Sequence, residues 1–239
     1  MDGNGRWACE RGLPRNQGHQ NGVENVRRIV EKAGELGIRY LTLYAFSTEN
    51  WNRPQPEVDA LMALLQTFLK EQLDHLLENK IRLHTIGCTD QLPAPVQEEL
   101  RRVKDATAAF EENNLILALN YSSRAELMHA LKSYHAALSN GSESIEDLDW
   151  SHFQKHLYTG DFPDPELVIR TSGEHRISNF LLLQSAYSEY FFSPLYWPDF
   201  GPSEFENAIH DFCRRERRFG RTGEQVRDAS TSSNTPQVS

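Results

Sequence analysis

Between Val23 and Phe192 short runs rich in branched and aromatic residues alternate with stretches of helical apolar spacing, and this alternation constrains the fold more than any other feature of the sequence. Val23, Val26, Ile29, Val30, Ala33 and Leu36 keep helical spacing and stop at Gly37. Tyr40 to Phe46 then reads as a buried strand that ends on polar Ser47-Thr-Glu-Asn50. The same reading gives a helix from Pro56 to Asn79, a strand over Ile81 to Ile86, a helix from Ala94 to Glu111 and a strand over Leu115 to Leu119. A helix from Arg124 to Leu138, a short one near Leu148 to Leu157 and a strand over Leu167 to Arg170 follow. Phe180 to Tyr187 reads as helix, Tyr190 to Phe192 as strand and Ser203 to Arg217 as the closing helix. Alternation of this kind predicts βαβ units with right-handed crossovers. The expected fold is therefore α/β, a single domain with a central, mainly parallel β-sheet flanked by helices. Thr222 to Ser239, rich in Ser, Thr, Gln and Gly without apolar period, reads as a disordered tail.

In open α/β sheets ligands bind where the strands end, so the residues after each strand form one group to inspect. Ser47 to Arg53, Asn120 to Arg124 and Arg170 to Ser178 are polar, and each contains arginine. The first 28 residues add Arg6, Arg11, Arg15, Arg27 and Arg28 against Asp2, Glu10 and Glu24, a basic island in a chain of net charge −9. Charge pattern alone fits a solvated face. Joined to three arginine-containing loops, the island points to an oxyanion site. The acidic balance argues against a nucleic-acid partner. Within the island Asp2-Gly-Asn-Gly-Arg6-Trp7 reads as a short loop in which glycines let backbone approach a diphosphate, with one carboxylate able to hold Mg²⁺. A turn glycine pair explains such a G-x-G equally well, and without G-K-[ST] no nucleotide P-loop is present. Cys9, Cys88 and Cys213 are odd in number and widely spaced, which suggests neither disulfides nor zinc and fits a reducing cytoplasm. His152 and His156 sit at i, i+4 without a third ligand and read as a polar helix face.

The ordered motifs Asp2-Gly-Asn-Gly-Arg-Trp-Ala8, Arg15-x-x-Gly-His19-x-x-Gly22, Phe46-Ser-Thr-Glu-Asn-Trp-Asn-Arg-Pro54, Leu167-Val-Ile-Arg-Thr-Ser-Gly-Glu-His-Arg-Ile-Ser-Asn179 and Tyr196-Trp-Pro-Asp-Phe200 closely resemble the bacterial undecaprenyl diphosphate synthases, cis-prenyltransferases. The resemblance covers residue 1 to about Gly220 and implies one domain over 1–220. It implies elongation of an allylic diphosphate such as farnesyl diphosphate with isopentenyl diphosphate, to a polyprenyl diphosphate of the undecaprenyl type. Asp2 resembles the essential aspartate that serves Mg²⁺ binding and diphosphate departure. Gly3, Asn4, Gly5, Arg6, Trp7, Arg15 and His19 resemble the surroundings of the allylic diphosphate. Ser47, Glu49, Asn50, Trp51 and Arg53 resemble a mobile loop over the reacting groups, with Asn50 contributing to chemistry. Arg170, His175, Arg176 and Ser178 resemble the isopentenyl diphosphate site, and Glu189 the carboxylate that joins Mg²⁺ coordination. The stripe Val58, Leu61, Met62, Leu65, Phe68, Leu69 and Leu73 reads as core, and by resemblance as the wall of a hydrophobic tunnel. A homodimer with peripheral membrane contact is also implied.

Two departures from the family pattern stand out. Only Met1 precedes the Asp-Gly-Asn-Gly run where the family carries an apolar strand, so a central sheet position is expected to be empty and Asp2 to sit on a frayed end. Ser122-Ser123 replaces a usual glycine pair. A noncatalytic isoprenoid-binding homologue is the competing class. A trans-prenyltransferase is disfavoured, since the sequence has neither an Asp-Asp pair nor an all-helical pattern.

Overall fold

The computed structural model describes residues 1–215. Helix α1 (Asn4–Glu10) and helix α2 (Arg15–Glu35) open the chain, followed by β1 (Tyr40–Ser47), α3 (Gln55–Glu78), β2 (Ile81–Ile86), α4 (Ala94–Thr107) and β3 (Asn113–Tyr121). Then come α5 (Ser123–Ser139), the short α6 (Trp150–Phe153), β4 (Leu167–Arg170), β5 (Glu189–Phe192) and α7 (Pro202–Arg214). The predicted tail from Thr222, and the last residues of the predicted closing helix, lie outside the described residues.

Among the described residues all strand pairs are parallel, in a three-stranded sheet of order β1-β3-β2 and a separate pair β4-β5. The central strand β3 is buried on both faces, as parallel strands beneath helices should be. Leu115, Leu117 and Leu119 turn to the larger core with Val26, Ile29, Met62, Leu69 and Leu83. Ile116, Ala118 and Tyr121 face the other side with Ile86 and Leu181. Left-handed Asn120 (φ 47°) resets the two-residue period, which is how Tyr121 joins the second face. Each fully buried Leu or Ile of this kind contributes about 1.5–3 kcal/mol through area removed from water.

The structure is the expected single α/β domain, its parallel strands flanked by helices and arranged as a set of three and a pair. Between β1 and β4 lies a cavity of about 640 Å³, lined by consecutive residues Arg39 to Tyr44 and Glu166 to Thr171. Consecutive lining means that strand edges, rather than one face, border it. Asp2, however, is not frayed. Its N–H donates to Thr171 Oγ1 at 3.0 Å, and its carbonyl accepts from Trp197 N–H at 2.9 Å and from Thr171 Oγ1 at 3.0 Å.

Three local expectations are corrected. The run after Asp2 is a helix, α1, rather than a loop. Helix α2 begins eight residues before Val23, at Arg15: Gly18 and Gly22 break the apolar pattern that sequence periodicity reads, yet let α1 cross α2 closely. Phe180 to Tyr187 is a series of turns. Ser178, Asn179 and Leu181 have φ of 53°, 60° and 46°, incompatible with a right-handed helix, and tertiary contacts override the apolar pattern. Phe180 stacks on Tyr44 at 4.5 Å, and Leu181 is buried against β3.

Candidate active site

The loops after β1, β3 and β4 meet, as the strand-end rule predicts. Trp51 Nε1 donates to Asn120 Oδ1 at 2.8 Å, and Asn179 Nδ2 donates to Glu49 Oε1 at 2.9 Å. Against this end of the sheet stands the Asp2–Arg6 segment. Gly3 is left-handed (φ 95°), and a Cβ there would meet Tyr196 at 2.5 Å and the Ser172 hydroxyl at 2.7 Å, so both torsion and space require glycine.

Asp2 is the junction of the site. Its Oδ2 accepts from Arg170 Nη2 at 2.8 Å and its Oδ1 from Gly3 N–H at 2.7 Å. Burial alone would raise this carboxyl, but the Arg170 hydrogen bond and the Gly3 N–H outweigh it and hold the group below its usual range. Arg170 turns its other nitrogen, Nη1, to the Arg176 carbonyl at 2.6 Å and the Ser178 hydroxyl at 2.9 Å. One guanidinium therefore ties the N-terminal segment to the loop after β4. Its Nε is buried without a hydrogen-bond partner, a donor in want of an oxygen.

Arg6 Nη2 lies 2.9 Å from both the Ser172 hydroxyl and Glu174 Oε1, and Arg176 pairs with the same Glu174. Across Gly5 sits Arg15, whose guanidinium would be 2.9 Å from a Cβ at that position. Gly5 thus admits a guanidinium over bare backbone. Arg15, His19 and Arg53 converge on Glu57 Oε1 at 3.7, 3.8 and 3.0 Å. Burial, then Arg53, lowers the pKa of His19, and its buried Nε2 makes no hydrogen bond. Besides Asp2, two carboxylates hold the basic cluster, Glu57 and Glu174. Neither was singled out from sequence, although Arg53 and Glu57 stand at the i, i+4 spacing of a helical ion pair.

Glu57 gathers two guanidinium groups that an added anion would otherwise meet. In Glu57→Gln, inorganic diphosphate is expected to bind about fivefold more tightly at low salt, with the gain shrinking as salt rises. Titration calorimetry at two ionic strengths checks this, and unchanged affinity would remove Glu57 from the site.

Ser47 and Asn50 form a capping box that closes the 3-10 turn Thr48–Asn52, with Asn50 Oδ1 accepting from Ser47 N–H at 3.1 Å. The side-chain amide nitrogen of Asn50 is thereby left to face other groups. Trp7 and His175 are placed differently from the rest. Trp7 Nε1 donates to Asp199 at 2.7 Å with Arg11 over its ring, which docks α1 on the Trp197–Asp199 turn. His175 is exposed and lies against Phe192. The Tyr196–Phe200 motif is a fastening: Trp197 Nε1 donates to Gly22 O at 2.7 Å, and buried Asn25 donates to the Trp197 and Phe200 carbonyls at 2.7 and 2.8 Å.

Glu189 pairs with Leu167 at the start of β5, three positions before the Arg170 level, and its carboxylate binds Arg215 at 2.8 Å. Three residues of strand span roughly 10 Å. Asp2 by itself, part-exposed and anionic, suits Mg²⁺, an ion commonly held by one or two carboxylates together with substrate phosphates and water. Behind Asn4 and His19 a cavity of about 90 Å³ opens among Val23, Phe46, Leu61, Leu65 and Phe68.

The family model for putative undecaprenyl diphosphate synthase matches residues 1–220. An isoprenyl transferase of Geobacter sulfurreducens is 48% identical over 230 residues, 96% of this chain and 94% of that protein. One of Staphylococcus haemolyticus is 47% identical over 220 residues, 92% of this chain and 86% of the relative. Among solved structures, lavandulyl diphosphate synthase from Lavandula x intermedia, in complex with dimethylallyl diphosphate, superposes with a TM-score of 0.89 at 35% identity, covering 92% of this chain and 95% of that one. A probable undecaprenyl diphosphate synthase from Campylobacter jejuni gives 0.74 at 33%, covering 84% and 92%. An arginine-rich site at the ends of parallel strands, on a chain this similar to isoprenyl transferases along nearly all its length, makes it a member of the undecaprenyl diphosphate synthase family of cis-prenyltransferases.

Proposed function

We propose that the chain condenses isopentenyl diphosphate with an allylic diphosphate such as farnesyl diphosphate, repeatedly and with cis geometry, to a long polyprenyl diphosphate of the undecaprenyl class. The observation that carries this reading is the Asp2–Arg170 bridge. It ties Arg170 to the segment bearing Arg6, which shares Glu174 with Arg176, while a second group, Arg15 and Arg53, gathers on Glu57 together with His19, which lines an apolar cavity. Two anionic headgroups beside one apolar pocket are what such a condensation requires. A structural relative in complex with dimethylallyl diphosphate supports the allylic half.

In this reading the allylic diphosphate lies against Arg6, Arg15 and His19, and its hydrocarbon enters among Leu61, Leu65 and Phe68. As its C–O bond breaks, fixed guanidinium groups take up the negative charge that develops on the leaving diphosphate. Arg170, Arg176 and Ser178 hold isopentenyl diphosphate so that its double bond lies close to the electrophilic carbon. Loss of a proton from the newly joined unit completes each cycle, and a diphosphate oxygen is an acceptor within the site. The turn bearing Trp51 and Asn50 excludes water from the cationic species. Mg²⁺, when bound, would supply further neutralisation of diphosphate charge, with Asp2 as its protein ligand. Widening of the 90 Å³ cavity along the α3 stripe would form the tunnel for the growing chain. A homodimer belongs to this reading, supported by Leu127, Met128 and Leu131, 42%, 52% and 51% exposed on one side of α5. No helix among the described residues is long and apolar enough to cross a membrane, so product delivery to a bilayer would be peripheral.

Incubation with farnesyl diphosphate, radiolabelled isopentenyl diphosphate and Mg²⁺ is expected to give butanol-extractable polyprenyl diphosphates, and chelation to abolish them. Absence of labelled product from folded protein would overturn the enzymatic reading in favour of a noncatalytic isoprenoid binder.

A further inference from the structure

The junction of β3 and α5 carries a group of polar residues to which the reaction above gives no part. Glu126 is 0% exposed, and its carboxylate has no cationic partner among the described residues. Its Oε2 accepts from the Tyr121 hydroxyl at 2.6 Å and from Gln184 Nε2 at 2.9 Å, and Gln184 Nε2 also donates to Thr159 Oγ1 at 2.7 Å. A buried carboxylate is costly unless its hydrogen bonds hold something in place, and apolar packing would fill this position more cheaply. What it holds is the turn segment after Ser178.

Ser123, one of the two serines standing in place of a glycine pair, binds the same segment twice. Its hydroxyl accepts from Leu182 N–H at 2.8 Å, and its N–H donates to the Asn179 carbonyl at 2.8 Å. Arg124 N–H adds a bond to Asn179 Oδ1 at 3.2 Å. The segment needs such support, since Ser172, Ser178, Asn179 and Leu181 are all left-handed without being glycine. At the other side of the junction Asn120 receives Trp51, and Asn179 reaches Glu49 on the same turn. Both substrate loops thus hang on seven consecutive residues, Asn120 to Glu126.

We propose that this junction is a positioning hub that sets the loop after β4 against the loop after β1, with Ser123 and Glu126 acting as positioning residues for Arg176 and Ser178. Neither touches a headgroup in the proposed reaction. They act through the backbone of residues 179–184, and the inference rests on the assignment of Arg176 and Ser178 to isopentenyl diphosphate.

Ser123→Ala and Glu126→Gln test the hub in the full chain. Amide hydrogen exchange over residues 178–185 is expected to quicken about tenfold in each variant while β2 and β3 stay unchanged. In the elongation assay KM for isopentenyl diphosphate should rise about tenfold, with KM for farnesyl diphosphate nearly constant, the split that a local positioning effect produces. A merely structural role predicts a lower melting temperature with both KM values unmoved, and that outcome, or unchanged exchange, overturns the hub. Calorimetric titration with inorganic diphosphate gives a readout without turnover. If the wild type elongates nothing while the variants lose diphosphate affinity and exchange protection together, the assigned reaction fails and the hub stands. Unchanged affinity and exchange in an active enzyme would sink the hub alone.

Discussion

Asp2→Ala is expected to lower the elongation rate by roughly a thousandfold, the scale seen when a charge-organising group at a developing anion is removed. The geometry makes the loss double. Alanine takes away the carboxylate proposed to hold Mg²⁺, and it also leaves Arg170 Nη2 without its partner at 2.8 Å. A guanidinium that is only 17% exposed and already has an unpaired Nε would then turn inward or shift, taking its bonds to Arg176 and Ser178 with it. Asp2→Asn separates the two effects. It keeps an acceptor for Arg170 and for Gly3 N–H while removing the charge. We expect Asn to retain near-normal KM for isopentenyl diphosphate with kcat as depressed as in Ala, whereas Ala raises KM as well. Steady-state assays of both variants with farnesyl and isopentenyl diphosphate decide this. Undiminished elongation in Asp2→Ala would remove Asp2 from the chemistry.

Gly18→Ala should produce a large structural effect. A Cβ at Gly18 would stand 1.9 Å from the Asn4 carbonyl oxygen, and at Gly22 2.6 Å from Asn4 Oδ1. Backbone cannot yield as a flexible side chain does, so α1 must lift off α2. Overpacking of this severity costs about 3 kcal/mol or more. Because α1 starts at the Gly3 turn, the displacement carries Arg6 away from Ser172 and Glu174, and activity should fall together with stability. Urea denaturation is expected to show a midpoint well below wild type with unchanged slope, and diphosphate affinity should fall in parallel. Gly34→Ala is the control, since a Cβ there meets nothing within 4 Å and helix propensity favours alanine. Equal stability of Gly18→Ala and wild type would show that the α1–α2 crossing is looser than described.

Elements with a clear period were legible in the sequence. Ile81–Ile86 and Leu167–Arg170 coincide with the expected strands, and β1 and α3 differ by a residue at their ends. The Arg15–Gly22 turns of α2 were not legible, because two glycines argue locally against helix while the reason for them, Asn4 of another element, is fixed only in the folded chain. The apolar Phe180–Leu183 run failed in the opposite sense: its side chains seek Tyr44 and β3, and its backbone is satisfied from α5. In the site, arginines at strand ends were readable from placement and motif. Glu57 and Glu174, which hold those arginines, were not, since an ordinary surface ion pair looks the same in sequence. Glu189 was carried by resemblance alone, and its carboxylate accepts from Arg215 at 2.8 Å.

Asp2 belongs to two parts of the fold at once. It is bonded to Arg170 and Thr171 at the end of β4, while its own chain runs directly into the α1–α2 pair. Beneath it the core is continuous, with Ile169 and Phe191 of the β4-β5 pair packed against the cluster that holds Leu43, Leu115 and Leu117. A change of charge on that one carboxylate therefore reaches both neighbours together, Arg170 at 2.8 Å and Arg6 at 3.6 Å.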